Sequence, residues 1–152
     1  MISAVGHKFA PKSGIEFDNL SGEKSYGAWR AYGQSKMANL LFAKELARRF
    51  AGTRKTANAV HPGAIRTNLA HSMGYPRWAV DLAYGIGDLL VFKSVAQGAA
   101  TECYVAVNPG TAKISGAYWV DCNVREPRAD ANDPVLAAKL WEASEKIVAK
   151  LN

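Results

Sequence analysis

The chain has 152 residues, 49% of them hydrophobic, which suits one globular domain with a buried core and excludes a disordered or fibrous protein. Nineteen Lys and Arg against thirteen Asp and Glu give a net charge of +6, but these charges are scattered along the chain, so no nucleic-acid partner is expected. Cys103 and Cys122 match no metal-ligand or disulfide spacing, which points to a reducing compartment and to no metal site.

The opening, MISAVGHKFAPKSG, lacks the apolar core and cleavage site of a secretory leader. Met1 to Val5 reads as the tail of a strand. Lys8 to Arg30 reads as an ordered loop with a short turn at Phe17 to Leu20, rich in glycine and interrupted by Pro11. From Trp29 to Phe50 the periodicity predicts a helix. Its broad inner face carries Tyr32, Lys36, Asn39, Leu40, Ala43, Ala47 and Phe50, with Lys44, Arg48 and Arg49 facing out, and Gly52 ends it.

A strand is predicted at Thr56 to His61, stopped by Pro62-Gly63. Trp78 to Phe92 is apolar but broken by Asp81 and Asp88, too short and too charged to span a bilayer, and reads as a half-buried helix with Gly85-Ile86-Gly87 as a flexible joint. Ser94 and Gln97 form a capping box that opens a helix ending before Asn108-Pro109-Gly110. Ile114 to Val120 is β-branched and aromatic enough for a strand, and Asp133-Pro134 starts a last helix as N-cap and first residue. Strand and helix thus alternate, which implies a parallel sheet covered on both faces. About three strands are countable where an open doubly wound sheet has about six, so the chain is expected to be one partial domain over 1–152.

Tyr32 and Lys36 stand four apart and share one helix face, so both address one point in a cleft. A neighbouring ammonium favours the phenolate, which would pull the tyrosine below its usual value of about 10 and suit it to exchange a proton with a carbonyl and alcohol pair. His7 and His61 read as packed residues and His71 as a solvated one.

Taken in order, SAVGH, AYGQSKMANLLFAKELARR, HPGAIRT, SGAYWVDC and DPVLAAKLWEASEKIV resemble the short-chain dehydrogenases/reductases, in particular their retinol-dehydrogenase-like and WW-domain-oxidoreductase-like branch. The resemblance covers essentially the whole chain. It implies the C-terminal part of a doubly wound Rossmann-like α/β fold, and hydride transfer between NADP(H), with NAD(H) as the other candidate, and a small lipophilic alcohol or carbonyl compound of retinoid or steroid type. By resemblance Tyr32 is the catalytic acid/base, and Lys36 is its partner and a ligand of the nicotinamide ribose. Pro62, Gly63, Ile65 and Thr67 line the nicotinamide, and Tyr75 to Phe92 forms a substrate lid.

Two departures stand beside the match. Where the family carries a pair of serines before the histidine, this chain has Ser3 and Ala4, so the second hydroxyl, which orients the substrate carbonyl, is missing and Ser3 is left as its substitute, although strand alternation turns it away from the site. The family's Gly-rich nucleotide-binding half has no counterpart, a shortfall of something over about a hundred residues at about thirty per strand-helix-strand unit. A second expectation follows, a truncated and inactive product serving as an interaction or dimerisation module. The resemblance leaves open a homodimer and contact with a membrane surface, and implies a cytoplasmic location or one at the surface of the endoplasmic reticulum.

Overall fold

A computed structural model describes residues 1–65, 75–90 and 92–151. Among the described residues, four α-helices, α1 (Ala28–Arg49), α2 (Arg77–Leu90), α3 (Val95–Val107) and α4 (Pro134–Ala149), accompany three short strands, β1 (Ala59–His61), β2 (Tyr118–Val120) and β3 (Asn123–Arg125). The sheet runs β1-β2-β3, with Val60 opposite Trp119 in a parallel pair and Trp119 opposite Val124 in an antiparallel one. The first residues extend it on the β1 side. Ile2 bridges Val60 in parallel, Ser3 N–H donates to Val60 O at 2.8 Å and Val60 N–H donates to Met1 O at 2.9 Å.

The parallel β1-β2 pair is the one that strand and helix alternation predicts, and β3 adds an antiparallel neighbour that it does not. The difference lies at Asp121-Cys122, whose φ of 52° and 59° fold β3 back on β2. Two consecutive left-handed residues make the tight hairpin turn usually reserved for glycine or asparagine, and nothing in the residue types Asp-Cys announces it. The predicted strand from Ile114 is also shortened, since Gly116 at φ +78° breaks the extended run before Tyr118.

Alternation along β2 sends its two aromatic rings to opposite faces. Tyr118 meets His7 edge-on at 5.4 Å, on the side of α1, while Trp119 meets Tyr104 of α3 at 6.0 Å. Helices therefore cover both faces. The core gathers between the sheet, α1 and α4, from Met37, Leu40, Leu41, Ala43, Ala59, Tyr118, Ala137 and Leu140.

The predicted caps are in place. Ser94 Oγ accepts from Gln97 N–H at 3.2 Å while Gln97 Oε1 accepts from Ser94 N–H at 2.9 Å, and Asp133 Oδ1 accepts from Val135 and Leu136 N–H at 2.8 and 3.2 Å.

On α1 one buried residue is not read from the sequence. Glu45 belongs to no predicted apolar face, yet it is buried, its carboxylate held by Arg48 at 2.7 Å and Arg49 at 2.8 Å. Those arginines, read as outward-facing, are its ion-pair partners, and Arg49 also lies 4.2 Å over the Trp141 ring. The segment after Tyr75 is less buried than expected: Val80 is buried, but Trp78 and Leu82 are 73% and 60% exposed. Gly85-Ile86-Gly87 lies within the continuous run of α2 rather than at a joint, with open space around Gly85. Among the described residues no helix is long and apolar enough to cross a membrane.

Candidate active-site cleft

An apolar cleft of about 460 Å³ opens where the first strand residues, α1 and the end of β1 meet. Into it come Tyr32 and Lys36 from α1, Ser3 to Gly6 from the entry strand, and His61 to Ile65 from the end of β1, with Phe9, Trp29 and Phe92 at its edges. Its size is that of an ordinary small-molecule site. Loops at the carboxyl ends of the parallel strands build it, the place where open α/β sheets bind ligands.

Tyr32 sits on the first turns of α1 with its ring against the backbone of Gly6, so close that a β-carbon on residue 6 would fall 2.4 Å from Tyr32 Cε1. Gly33, the next residue, is clasped as tightly: a β-carbon there would lie 2.6 Å from Phe9 C and Ala10 N. The turn Val5–Phe9, a 3-10 helix rather than a continuation of the strand, is thus pressed flat on α1 on both sides of the tyrosine. Both glycines lie inside the motifs SAVGH and AYGQSK, but neither is given a role by them. A glycine inside a helix costs about 1 kcal/mol relative to alanine, and Gly33 beside Tyr32 is the signal that would have revealed the close approach.

Lys36 Nζ lies 5.5 Å from the Tyr32 ring centroid and donates one long hydrogen bond, 3.5 Å, to Ile2 O, so its remaining donors are left for the cleft. Ile2 O is held better by Asn39 Nδ2 at 2.7 Å. The electrostatic outcome differs from the expectation for a tyrosine beside a lysine. Burial pushes the Tyr32 phenol up from its ordinary value by desolvating the phenolate.

Ser3 is 1% exposed, and its hydroxyl donates to Lys36 O at 2.8 Å. That bond ties the entry strand to α1 and occupies the hydroxyl that was to stand in for the missing serine. Ala4 lines the cleft in extended backbone, with φ −157° and ψ 161°.

Pro62, Gly63 and Ile65 form the opposite wall. Gly63 holds φ +94°, and a β-carbon there would strike the Lys93 side chain at 2.6 Å. Lys93 pairs with Asp121 and donates its N–H to Ala64 O at 2.8 Å, fastening this wall to the β2–β3 turn. Ile65 packs over Gly98 of α3, where a β-carbon would lie 2.1 Å from its Cδ1. Thr67 and His71 lie outside the described residues.

His61 is half-buried at the cleft, and burial, followed by the Lys93 charge, lowers its pKa. His7 is packed as expected. Of the predicted lid, Tyr75 accepts a 2.8 Å hydrogen bond from Trp29 Nε1, and Phe92 lines the cleft.

The donor set fits one end of a dinucleotide. A lysine with donors to spare suits the vicinal hydroxyls of a ribose, and a wall of proline, bare glycine backbone and isoleucine suits the flat face of a nicotinamide.

No protein-family profile matches the chain. Individual relatives do. The chain is 40% identical over 152 residues to the chloroplastic short-chain dehydrogenase TIC 32 A of Brassica napus, covering 99% of this chain and 46% of that protein. Identity to human retinol dehydrogenase 14 is 39% over 150 residues, 99% of this chain and 44% of the relative, and to the zebrafish (Danio rerio) WW domain-containing oxidoreductase 35% over 153 residues, 97% and 36%. A crystal structure of an uncharacterized protein from Mycobacterium paratuberculosis superposes with a TM-score of 0.64 at 28% identity, covering 95% of this chain and 47% of the other. The chain spans about half the length of the curated relatives it matches. Over nearly all of its own length, the chain is similar to the C-terminal half of short-chain dehydrogenases/reductases.

Proposed function

We propose that this chain supplies the catalytic half-site of an NADP(H)-dependent oxidoreductase acting on a lipophilic carbonyl or alcohol. The observation that carries the reading is the convergence of Tyr32, Lys36, Pro62, Gly63 and Ile65 on one apolar cleft. A bound nicotinamide would supply the hydride. The chain's own residues supply the rest.

Held above its ordinary pKa by burial, Tyr32 keeps its proton at neutral pH and is a donor to a carbonyl oxygen as negative charge develops there. The same phenol takes the proton back when an alcohol is oxidised. Lys36 brings a positive charge to the same cleft and spare donors for the ribose hydroxyls, while the apolar lining of Val5, Phe9, Trp29 and Phe92 favours a lipophilic substrate. The relatives' names, retinol dehydrogenase among them, support the substrate class. NADP(H) over NAD(H) rests on the branch resembled.

One observation favours a second reading, an interaction module without turnover. The oxyanion donor expected at position 4 is an alanine, and the neighbouring Ser3 hydroxyl is engaged with Lys36 O.

The test is made on the protein isolated from its own cells. Turnover of a lipophilic aldehyde with NADPH is compared for wild type and Tyr32→Phe, with cofactor binding followed by nucleotide fluorescence. The expected result is a loss of about a hundredfold or more in kcat in Tyr32→Phe, with cofactor affinity within about twofold. Equal turnover in the two would remove Tyr32 from the reaction. A wild type that neither binds NADPH nor turns over would leave the interaction module as the function.

A further inference from the structure

The cleft wall that carries Gly6 is held from outside by one residue of the C-terminal region. Arg128 lies 121 positions from His7 in sequence, and its backbone N–H donates to His7 Nε2 at 3.1 Å. Its guanidinium donates to Ala10 O at 2.8 Å, Pro11 O at 2.7 Å and Lys8 O at 3.3 Å, and Asp130 orients the fork by accepting from Nε at 2.7 Å. Three consecutive-turn carbonyls are therefore satisfied by one planar cation, a geometry that a lysine cannot reproduce.

His7 carries the same restraint inward. Its Nδ1 lies 2.7 Å from Ala4 O, an acceptor only, so Nδ1 bears the proton and Nε2 is the acceptor for Arg128. Both ring nitrogens are used and the ring is 1% exposed. From Arg128 the restraint thus reaches His7 and Lys8 within the turn Val5–Phe9, Ala10 and Pro11 just after it and, through His7, Ala4 just before it. On the inner side of that turn, Gly6 meets the Tyr32 ring and the Phe9-Ala10 peptide meets Gly33.

We propose that Arg128 is a positioning residue for Tyr32, fixing through the Val5–Phe9 turn the surface on which the phenol ring rests. Arg128 does not line the cleft and touches neither Tyr32 nor Lys36. The effect is therefore exerted at one remove. The inference rests on the reading of Tyr32 as the acid of the reaction.

The test uses the full chain labelled at tyrosine Cζ with carbon-13, the Tyr32 resonance being assigned from the Tyr32→Phe spectrum and its ionisation followed by titration. In Arg128→Ala the turn loses its outer carbonyl partners, Gly6 relaxes from the ring and water reaches the phenol. The expected result is a Tyr32 titration that moves down toward that of an ordinary tyrosine, with the methyl resonances of Leu140 in the α1–α4 core unchanged. Millimolar methylguanidinium should restore the wild-type titration, whereas Arg128→Lys should behave like the alanine variant. Where turnover is measured, kcat should fall about tenfold or more with KM changed less than about twofold, because a misplaced acid affects the chemical step rather than binding.

A Tyr32 titration unmoved in folded Arg128→Ala would overturn the proposal. Should that variant fail to fold, Asp130→Asn, which keeps the arginine and removes the carboxylate that orients it, carries the same test with the same two outcomes. The two readings separate cleanly, since the resonance is measured without turnover. Full activity in Tyr32→Phe would end the catalytic reading and leave the Arg128 linkage standing, and an unmoved resonance would do the reverse.

Discussion

Gly6 and Tyr32 touch backbone to ring, and a single methyl group on residue 6 would sit 2.4 Å from Tyr32 Cε1. No real β-carbon tolerates that distance, so either the ring or the turn has to move. The turn is fastened by Arg128 and His7 and by its fit on Gly33, whereas the ring is the end of a side chain, so the ring moves. Gly6→Ala is therefore expected to lower kcat by about tenfold to a hundredfold, with little change in KM, by displacing the phenol. Steady-state kinetics beside a thermal melt checks this; activity equal to wild type in a folded Gly6→Ala protein would show that the seat of the ring is not set by residue 6.

Acid stability should have two windows, set chiefly by Glu45 and by His7, with the lowered carboxylates of Asp121 and Asp130 adding to the lower one. Glu45 is held down to about 2 by its hydrogen bonds to Arg48 and Arg49, against 4.5 ordinarily. The unfolded chain then binds its proton first as pH falls, so the stability contributed by the carboxylate is complete above about 4.5 and is lost between there and about 2. His7 is lowered from 6.5, chiefly by burial, with the charges of Lys8 and Arg128 adding to it. Its contribution is present above pH 6.5 and declines as pH falls below that, again because the unfolded state takes up the proton more readily. Denaturant midpoints measured from pH 8 to pH 3 should fall in both ranges. In Glu45→Gln the lower window should flatten, and an unchanged profile there would mean that the buried carboxylate is not the group responsible.

Much of this fold is legible in the residues because local rules and tertiary packing agree. The Ser94 to Gln97 box and Asp133-Pro134 each carry their own hydrogen-bonding instructions, and the helices begin there. Tyr32 and Lys36 at helical spacing, and Pro62-Gly63 after a strand, likewise come together in one cleft. What could not be read depends on partners distant in sequence. Glu45 is an ordinary helix-surface residue until Arg48 and Arg49 fold over it, and Arg128 is one scattered cation until Ala10 and Pro11 present their carbonyls. The sign of the Tyr32 shift belongs to the same class: spacing gives the lysine, but only packing gives the desolvation.

The cap of α4 offers a test of local stability away from the cleft. Asp133 satisfies two first-turn amides, Val135 and Leu136, and α4 is the helix whose Ala137 and Leu140 close the core against α1. Asp133→Ala is expected to cost about 1 kcal/mol, or roughly 2 to 4 °C in Tm for a domain of this size, and to leave catalysis unaltered. Asp133→Ser, which keeps a cap acceptor, should recover most of the loss. A Tm within error of wild type for Asp133→Ala would mean that packing of Leu140 alone holds the helix start.

On the proposed reading, position 4 sets how well the cleft can stabilise charge on a substrate oxygen. Ser3 cannot serve, because its buried hydroxyl is donated to Lys36 O and turning it away would give up one of the bonds between the entry strand and α1. Ala4 lines the cleft and its extended backbone suits any residue, so a serine there adds an oxygen without disturbing the chain. A hydroxyl aimed at a developing oxyanion is worth about a hundredfold or more in rate where it is well placed. Ala4→Ser should accordingly raise kcat for carbonyl reduction, by as much as that factor, with Tm unchanged. The gain should vanish in the Ala4→Ser, Tyr32→Phe double variant, since the added donor and the phenol act on the same oxygen. An Ala4→Ser protein no faster than wild type would mean that another group already polarises the carbonyl, and a gain that survives loss of Tyr32 would mean that the serine works at a different atom.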